Sequence, residues 1–541
     1  MVTSICKYIM ENNSKIESCL PFYRQDKGDN CVKVVFVVKT KESEVNIPGY
    51  TIVQRNREEL DTENSFVIEQ EIRNDKLPST KLDTAFGTTL KKELDELWNA
   101  HSNLTTITMS CYKLSKYGDV DDGYKLEEKD CIVFCVDGKG LIPFEEEPFP
   151  IKVGDFETDV RECHLYLHSS LAGWPTHCHK NLLQGCDIGF QVNKNEMSFG
   201  TIGCFLSNRN DQYYYALTCA HVVLNYEQLM EIGRNGGTRA EKHSKLICYL
   251  TGCKHKCFQP AKSDTQAGIL QKSVFKESDG VDVSVFKVDQ TRCPQSCSFP
   301  TDPCELVMEM KRNGIIDDHD YTFHGGAFVD WVVSKENSGP LFSETIESRE
   351  DAENLGQELV RYYSGKRIDC NGDAAANNAQ PQETFQDSRY KLCDYEDNGT
   401  LRDERLYIAN TPESFRSGDI LSDIQQGLKV MKFGIATNLT KGTISSRNFS
   451  KGRFSFKQGK VELHNLVTVR PNKDLLKFSR EGDSGSLVVT CDERKAVGIL
   501  IGGGSSIQPM IGQMSYLCPI QNVLNSLGGD YMLAGLGNNM Y

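Results

Sequence analysis

The stretch that most narrows what this chain can fold into is Ser479-Arg480-Glu481-Gly482-Asp483-Ser484-Gly485-Ser486-Leu487-Val488-Val489. A short polar loop holds a serine beside glycines and then breaks at once into an apolar, β-branched run, so a tight turn must feed straight into a buried strand. Glycines take backbone turns that a Cβ forbids, which lets the N–H groups of Gly482 and Ser484 point the same way. Donors fixed where negative charge develops are what acyl transfer asks of an oxyanion hole. The strand from Leu487 to Thr490 would hold the serine still against a core. A serine alone is a weak nucleophile, so the reading requires a nearby base and a group that orients it.

Both are present upstream. In Tyr215-Ala216-Leu217-Thr218-Cys219-Ala220-His221-Val222-Val223 an apolar strand ends in small residues and delivers one imidazole. In Gly280-Val281-Asp282-Val283-Ser284-Val285-Phe286 a lone carboxylate opens an apolar strand. A buried carboxylate can fix the tautomer of a histidine and stabilise its charged form. Each piece has a plain alternative: Gly-Asp-Ser-Gly arises by chance in loops, and a lone histidine among apolar residues is more often a packed core residue. Three such pieces in the order His, Asp, Ser, each at the edge of an apolar strand, leave chance a poor explanation.

These segments resemble those of the chymotrypsin/trypsin-like serine peptidases. Leu217-Thr218-Cys219-Ala220-His221 is similar to the family's histidine segment, Asp282-Val283-Ser284-Val285 to its aspartate strand, and Gly482-Asp483-Ser484-Gly485 to its nucleophile loop. Lys432-Phe433-Gly434, with Thr437 and Thr440-Lys441-Gly442-Thr443, resembles a strand–turn–strand of intracellular and bacterial members. Val497-Gly498-Ile499, on to Ile501, Gly502 and Gly503, resembles the strand that binds substrate backbone. The resemblance spans about residues 185–530. It implies a mainly β fold, a chymotrypsin-like double β-barrel preceded by a smaller α/β domain. It also implies His221, Asp282 and Ser484 as a catalytic triad, the N–H groups of Gly482 and Ser484 as the oxyanion hole, and a specificity pocket whose floor falls near Phe478 and Ser479. No acid sits at that floor, so a preference for Arg or Lys is not supported. Extracellular relatives pair the aspartate before the nucleophile with a terminus freed by cleavage. The run Met197-Ser198-Phe199-Gly200-Thr201 does not resemble such a cleavage site. Asp483 must then meet an internal lysine, arginine or backbone amide.

At 541 residues the chain exceeds the roughly 250–300 at which one core stops growing, so at least two domains are expected. The formal net charge of −14 argues against nucleic acid or an anionic membrane as a partner. No stretch approaches the roughly 20 apolar residues of a membrane span, and the first residues lack the apolar run of a signal peptide. Val222 and Arg480 stand near places where secreted relatives carry disulfide cysteines. The 21 cysteines therefore read as reduced thiols and the chain as cytoplasmic or otherwise intracellular.

In chain order, residues 1–30 are polar and irregular and read as disordered. Residues 31–165 read as an α/β module: a strand at Val32–Val38, a helix within Thr88–His101 presenting Leu90, Leu94, Leu97 and Trp98, then strands at Leu104–Lys113 and Cys131–Val136. Phe144–Pro148 reads as a solvated loop. Residues 185–530 carry the barrels, beginning near Asp187-Ile188-Gly189. Cys248, Cys253, His255, Cys257, Cys293, Cys297 and Cys304 are spaced too loosely for the usual zinc motif and read as free thiols, so no metal and no cofactor are expected. About residues 343–403 are acidic, poor in apolar residues and expected to be a mobile insertion. Ile520 to Leu527 reads as a short amphipathic helix ended by Gly528-Gly529.

The function that follows is a serine endopeptidase working through an acyl-enzyme, with protein or peptide substrates as its only implied partners. The alternative is a catalytically silent barrel serving as a binding scaffold. An esterase is disfavoured because the serine is not set in Gly-x-Ser-x-Gly at a strand-to-helix elbow.

Overall fold

The computed structural model describes residues 2–13, 16–25, 32–40, 45, 47–55, 62–115, 125–168, 181–182, 184–193, 196–234, 238–239, 256–259, 261, 265–294, 419–456, 459–472, 477–504 and 513–534. The expected insertion at 343–403 and the cysteines at 248, 253, 297 and 304 lie outside these residues.

The N-terminal third holds helix α1 (Val2–Glu11), strands β1 (Ile16–Gln25), β2 (Val32–Thr40) and β3 (Ile52–Arg55), and helices α2 (Thr62–Arg73), α3 (Thr80–Gly87) and α4 (Lys91–Ala100). It continues through β4 (Leu104–Ser115), β5 (Lys125–Val136), β6 (Ile142–Pro143), β7 (Lys152–Val153), β8 (Phe156–Glu162) and β9 (Leu165–Leu167). A small sheet runs in the order β3-β2-β1-β6. For residues 2–13 and 16–25 the expected disorder is corrected here: Cys6 and Ile9 of α1 pack with Ile16, Cys19, Phe36 and Val38 into a buried cluster. The pattern of β1 was obscured by Pro21, whose ring breaks the usual strand signal. The helix expected within Thr88–His101 is observed as α4, with Leu94 and Trp98 buried. The expected edge of a separate module at residue 165 does not coincide with a break in the structure. β4, β5, β8 and β7 extend the sheet of the C-terminal barrel.

The first β unit of the part that follows comprises β10 (Asp187–Asn193), β11 (Glu196–Thr201), β12 (Cys204–Asn208), β13 (Tyr214–Thr218), β14 (Thr238–Arg239), β15 (Lys256–Phe258), β16 (Gln266–Lys276) and β17 (Val281–Val288). Two short helices, α5 (Ala220–Val223) and α6 (Tyr226–Arg234), follow β13. Its sheet order is β11-β10-β15-β16-β17-β13-β12, closed at one edge by β24 (Tyr531–Leu533) from the chain's far end. The second unit comprises β18 (Lys429–Gly434), β19 (Asn438–Phe456), β20 (Gly459–Pro471), β21 (Leu487–Thr490), β22 (Ala496–Gly504) and β23 (Ser515–Pro519). The order β18-β21-β22-β23-β20-β19 returns to β18 through a further β18–β19 pairing, so these six strands form a closed antiparallel barrel. Helix α7 (Ile520–Leu527) buries Ile520, Val523, Leu524 and Leu527 and stops at Gly528, whose φ of 98° suits glycine. The mainly β class expected from the sequence is what the strands form. The two β units share one apolar core, in which Leu217, Val222 and Val283 of the first meet Leu487, Val489 and Ile499 of the second. At about 1.5–3 kcal/mol for each large apolar side chain removed from water, this core fixes the loops at the junction.

No helix among the described residues is long and apolar enough to cross a membrane. None of the thirteen described cysteines is in a disulfide, and eleven of them are buried. Burial pushes the thiols of Cys19 and Cys131 up to about 12, so they are poor nucleophiles packed as small apolar groups. Alkylation and mass spectrometry under denaturing, non-reducing conditions should therefore find free thiols at these positions. Several abundant intramolecular bridges would contradict the reduced-compartment reading.

Candidate active site

Each of the three residues singled out from the sequence sits where a strand gives way at the junction of the two β units. β13 runs into the one-turn helix α5, which presents His221. Asp282 stands at the start of β17, which lies beside β13 in register Thr218 to Ser284. Ser484 precedes β21, whose Leu487–Thr490 are all buried. The three side chains are fully buried and brought together. His221 Nδ1 forms a short hydrogen bond with Asp282 Oδ2, while the His221 backbone N–H donates to Asp282 Oδ1 at 3.0 Å. The carboxylate thus grips both ring and backbone, leaving Nε2 to face Ser484 Oγ at 2.9 Å. The serine hydroxyl has a second acceptor, the Ile501 carbonyl, also at 2.9 Å. With one proton to donate, it serves His221 or Ile501 but not both at full strength.

The partner of Asp483 is Lys432. Its Nζ donates to Asp483 Oδ2 at 3.1 Å, and both side chains are fully buried. Asp483 Oδ1 also accepts the N–H groups of Ala436 (2.9 Å) and Thr437 (3.2 Å). Its Oδ2 accepts the Thr437 hydroxyl at 2.6 Å and the Arg480 N–H at 3.1 Å. Burial alone would raise the carboxyl's pKa, but the ammonium, the Thr437 hydroxyl and the backbone donors outweigh it and hold it below its ordinary value. The same burial pulls the Lys432 ammonium below its ordinary value, with Asp483 opposing. Desolvation is thus felt on both partners, and what the pair secures is the position of the loop. The expectation of an internal lysine or backbone amide, made without a freed terminus, is met by both at once.

Pinned this way, the loop keeps Gly482 at φ 102°, a conformation open to glycine but strained for other residues. The Gly482 N–H points into the cleft, where it donates to the His168 carbonyl at 3.0 Å. Thr201 was not anticipated from sequence. Its hydroxyl donates to the Gly482 carbonyl at 2.9 Å, and its N–H donates to the Ser484 carbonyl at 2.8 Å. This lone threonine at the end of β11 staples the first β unit to the nucleophile loop, and no local pattern marks it. Of the expected substrate-binding residues, Ser479, Ile501, Gly502 and Gly503 lie against β9 and the residue after it, His168. Phe478 does not: it is buried in the second barrel's interior with Val430, Val467 and Val488. Its apolar ring is drawn into that core, while the next residue turns back toward the site.

Cys219, His221 and Asp282 place three potential metal donors within 4.8 Å of one another. The Cys219 thiol donates to the Leu500 carbonyl at 3.1 Å, and burial, reinforced by Asp282, pushes its pKa well up. It is held as a thiol, whereas a metal would require the thiolate, so this trio fits a hydrogen-bonded relay better than an ion site.

No protein-family model matches the chain, and no curated protein matches it in sequence. Among solved structures it is similar to Thermobifida fusca protease A, at 12% identity over 66% of this chain and 99% of that one, with a TM-score of 0.29. It is similar to a Nocardiopsis protease at 12% identity over 65% and 98%, with a TM-score of 0.28. It is also similar to a glutamic acid-specific serine protease that uses a histidine triad in substrate binding, at 10% identity over 65% and 100%, with a TM-score of 0.28. Likenesses this distant do not carry chemistry, which rests on the geometry of the site.

Proposed function

We propose that this chain is a serine endopeptidase in which Ser484 is the nucleophile, His221 the general base and acid, and Asp282 the group that orients His221. The observation that carries the reading is the unbroken chain of contacts from Asp282 through His221 to Ser484, beside a loop locked by Asp483 and Lys432. Ser484 Oγ attacks the scissile carbonyl carbon as its proton passes to His221 Nε2. The oxyanion is met by the N–H groups of Gly482 and Ser484, and His221 returns the proton to the leaving amine. Water, deprotonated by the same ring, then releases the acyl group. The Ile501 carbonyl adds a control: a substrate N–H bonded to it competes with the Ser484 hydroxyl, which turns the serine proton toward His221. The substrate class is protein or peptide, and an intracellular setting fits the lack of disulfides among the described cysteines.

The silent-scaffold alternative draws on one observation, the full burial of His221 and Ser484. A fluorophosphonate probe separates the two readings, because only an assembled relay makes a serine nucleophilic. The expected result is an adduct on the peptide containing Ser484, found by mass spectrometry after prolonged incubation of folded protein. An unlabelled Ser484, both in folded wild type and in a folded Leu167→Asp chain whose β9 is loosened from β22, sinks the peptidase reading.

A further inference from the structure

Strand β9 runs antiparallel along β22, pairing Leu167 with Gly502, Tyr166 with Gly503 and Leu165 with Gly504. On its other edge it pairs with β19, Leu165 against Phe454 and Tyr166 against Ser455. Just beyond β9, the His168 N–H donates to the Ile501 carbonyl at 3.2 Å, and the His168 carbonyl accepts the Gly482 N–H at 3.0 Å. The imidazole is buried, with Nδ1 3.3 Å from Ser479 Oγ, which bonds Ser515 Oγ at 2.6 Å. A Cβ on Gly503 would stand 3.0 Å from His168 Cε1, so the bare backbone there forms one wall around the ring. Burial takes the ring's pKa down to about 4, against the pull of Asp483, and leaves it neutral at neutral pH. Leu165 and Leu167 lie in the apolar cluster of Phe454 and Phe456, and the Phe456 ring packs edge-on to His221. A stretch of the chain's own backbone thus fills the cleft, with one carbonyl held by the oxyanion-hole donor. This filling explains why Ser484 and His221 are inaccessible.

We propose that Leu165–His168 is an internal substrate bound in cleavage register, and that Ser484 cuts the chain on the carboxyl side of His168. This rests on the peptidase reading above. Ser484 Oγ attacks the His168 carbonyl carbon and its proton moves to His221 Nε2. The bond from that carbon to the nitrogen of the next residue in sequence, Ser169, breaks, and His221 protonates the leaving nitrogen. Water then hydrolyses the His168 ester, leaving a His168 carboxylate, a new amino terminus at Ser169 and a restored Ser484. Because the reacting groups belong to one chain, the step needs no encounter and proceeds at high effective concentration. The pieces stay together after the cut: Trp98 Nε1 donates to Glu462 at 2.8 Å, Arg453 reaches the His101 and Leu104 carbonyls, and β4 pairs with β19. The pocket that accepts His168 is lined by neutral hydroxyls and glycine backbone, which assigns the site a preference for an uncharged, flat side chain before the cut.

The test is the intact mass of purified full-length protein under denaturing conditions. Fragments of residues 1–168 and 169–541 are expected, coeluting under native conditions, with a fraction cut that rises independently of dilution. Ser484→Ala should stay whole. His168→Asp, checked for folding by thermal melting, should stay whole, and His168→Asn should restore the cut. Leu167→Asp, which loosens β9 from the cleft, should remain uncut yet label with fluorophosphonate severalfold faster than uncut wild type. A wild-type chain that labels at Ser484 but is never cut after His168 overturns this inference and leaves the peptidase reading standing. So does a Ser484→Ala chain cut at the same bond. If neither wild type nor folded Leu167→Asp labels, the peptidase reading itself falls, and this inference with it.

Discussion

Replacing Ser484 by alanine is expected to abolish fluorophosphonate labelling and peptide hydrolysis while leaving the fold intact. The hydroxyl bonds His221 Nε2 and the Ile501 carbonyl, and losing one neutral hydrogen bond typically costs only about 0.5–1.5 kcal/mol. The catalytic loss should be far larger, on the order of 10⁶ in kcat, as removal of a serine-peptidase nucleophile gives elsewhere. His221→Ala should cost about as much, because a nucleophile without its base is no better than none. Asp282→Asn should cost on the order of 10⁴ by presenting the wrong tautomer. Asp282 also accepts the His221 backbone N–H, so its replacement should lower thermal stability as well. Combining the three changes should add little to the worst single change. Assays of kcat and kcat/KM on a peptide substrate read these effects, and a near-additive series would mean that the three side chains do not act as a unit.

The site was legible in the sequence wherever chemistry and local pattern coincide in one segment. Ser484, His221 and Asp282 each sit at the edge of an apolar strand, and that edge is what both folding and the proposed chemistry use. The partner of Asp483 was legible in kind but not in identity. Lys432 lies on a different strand, and only the closure of the six-stranded barrel through β18 brings it under the nucleophile loop. Thr201 was silent for the same reason, since its hydroxyl works on a loop far along the chain. Phe478 was misread because an aromatic ring before a nucleophile loop suits a pocket wall and a barrel interior equally, and burial decided for the interior. The N-terminal residues show a further limit. Segment-by-segment reading treats strands after a linker as a module of their own, yet β4 pairs with β19, Thr106 against Gly452, and carries β5 with it into the barrel sheet. Strand β9 is too short for periodicity to find, and its place is set by the bare glycine backbone of β22.

Lys432→Met is expected to destabilise the folded chain strongly and to disable the oxyanion loop. Methionine nearly matches the lysine stem in volume but removes the charge that faces Asp483. Breaking a buried ion pair from one side costs about 3–5 kcal/mol, because the remaining charge is stranded away from water. The backbone donors of Ala436, Thr437 and Arg480 remain, which places the expected loss toward the lower end of that range. Asp483→Asn alone strands Lys432 instead and should also destabilise. The double change Lys432→Met with Asp483→Asn should be markedly less destabilised than the sum of the two, since no buried charge is left. The pH dependence has a definite sign. Asp483 has a folded pKa below its ordinary value, so its contribution is complete above the unfolded carboxylate value of about 3.9 and fades as the pH falls through the lower folded value. Without Lys432, burial should raise the folded pKa, and the acid-induced loss of stability should begin at higher pH. Denaturant unfolding near neutral pH and thermal melts down to acid pH measure both effects. On the proposed mechanism the functional effect should fall on kcat rather than KM, because that mechanism has the loop supply an oxyanion donor and leaves the binding of substrate backbone to β22. A Lys432→Met chain with unchanged stability and full kcat would show that the oxyanion loop is held by something other than this pair.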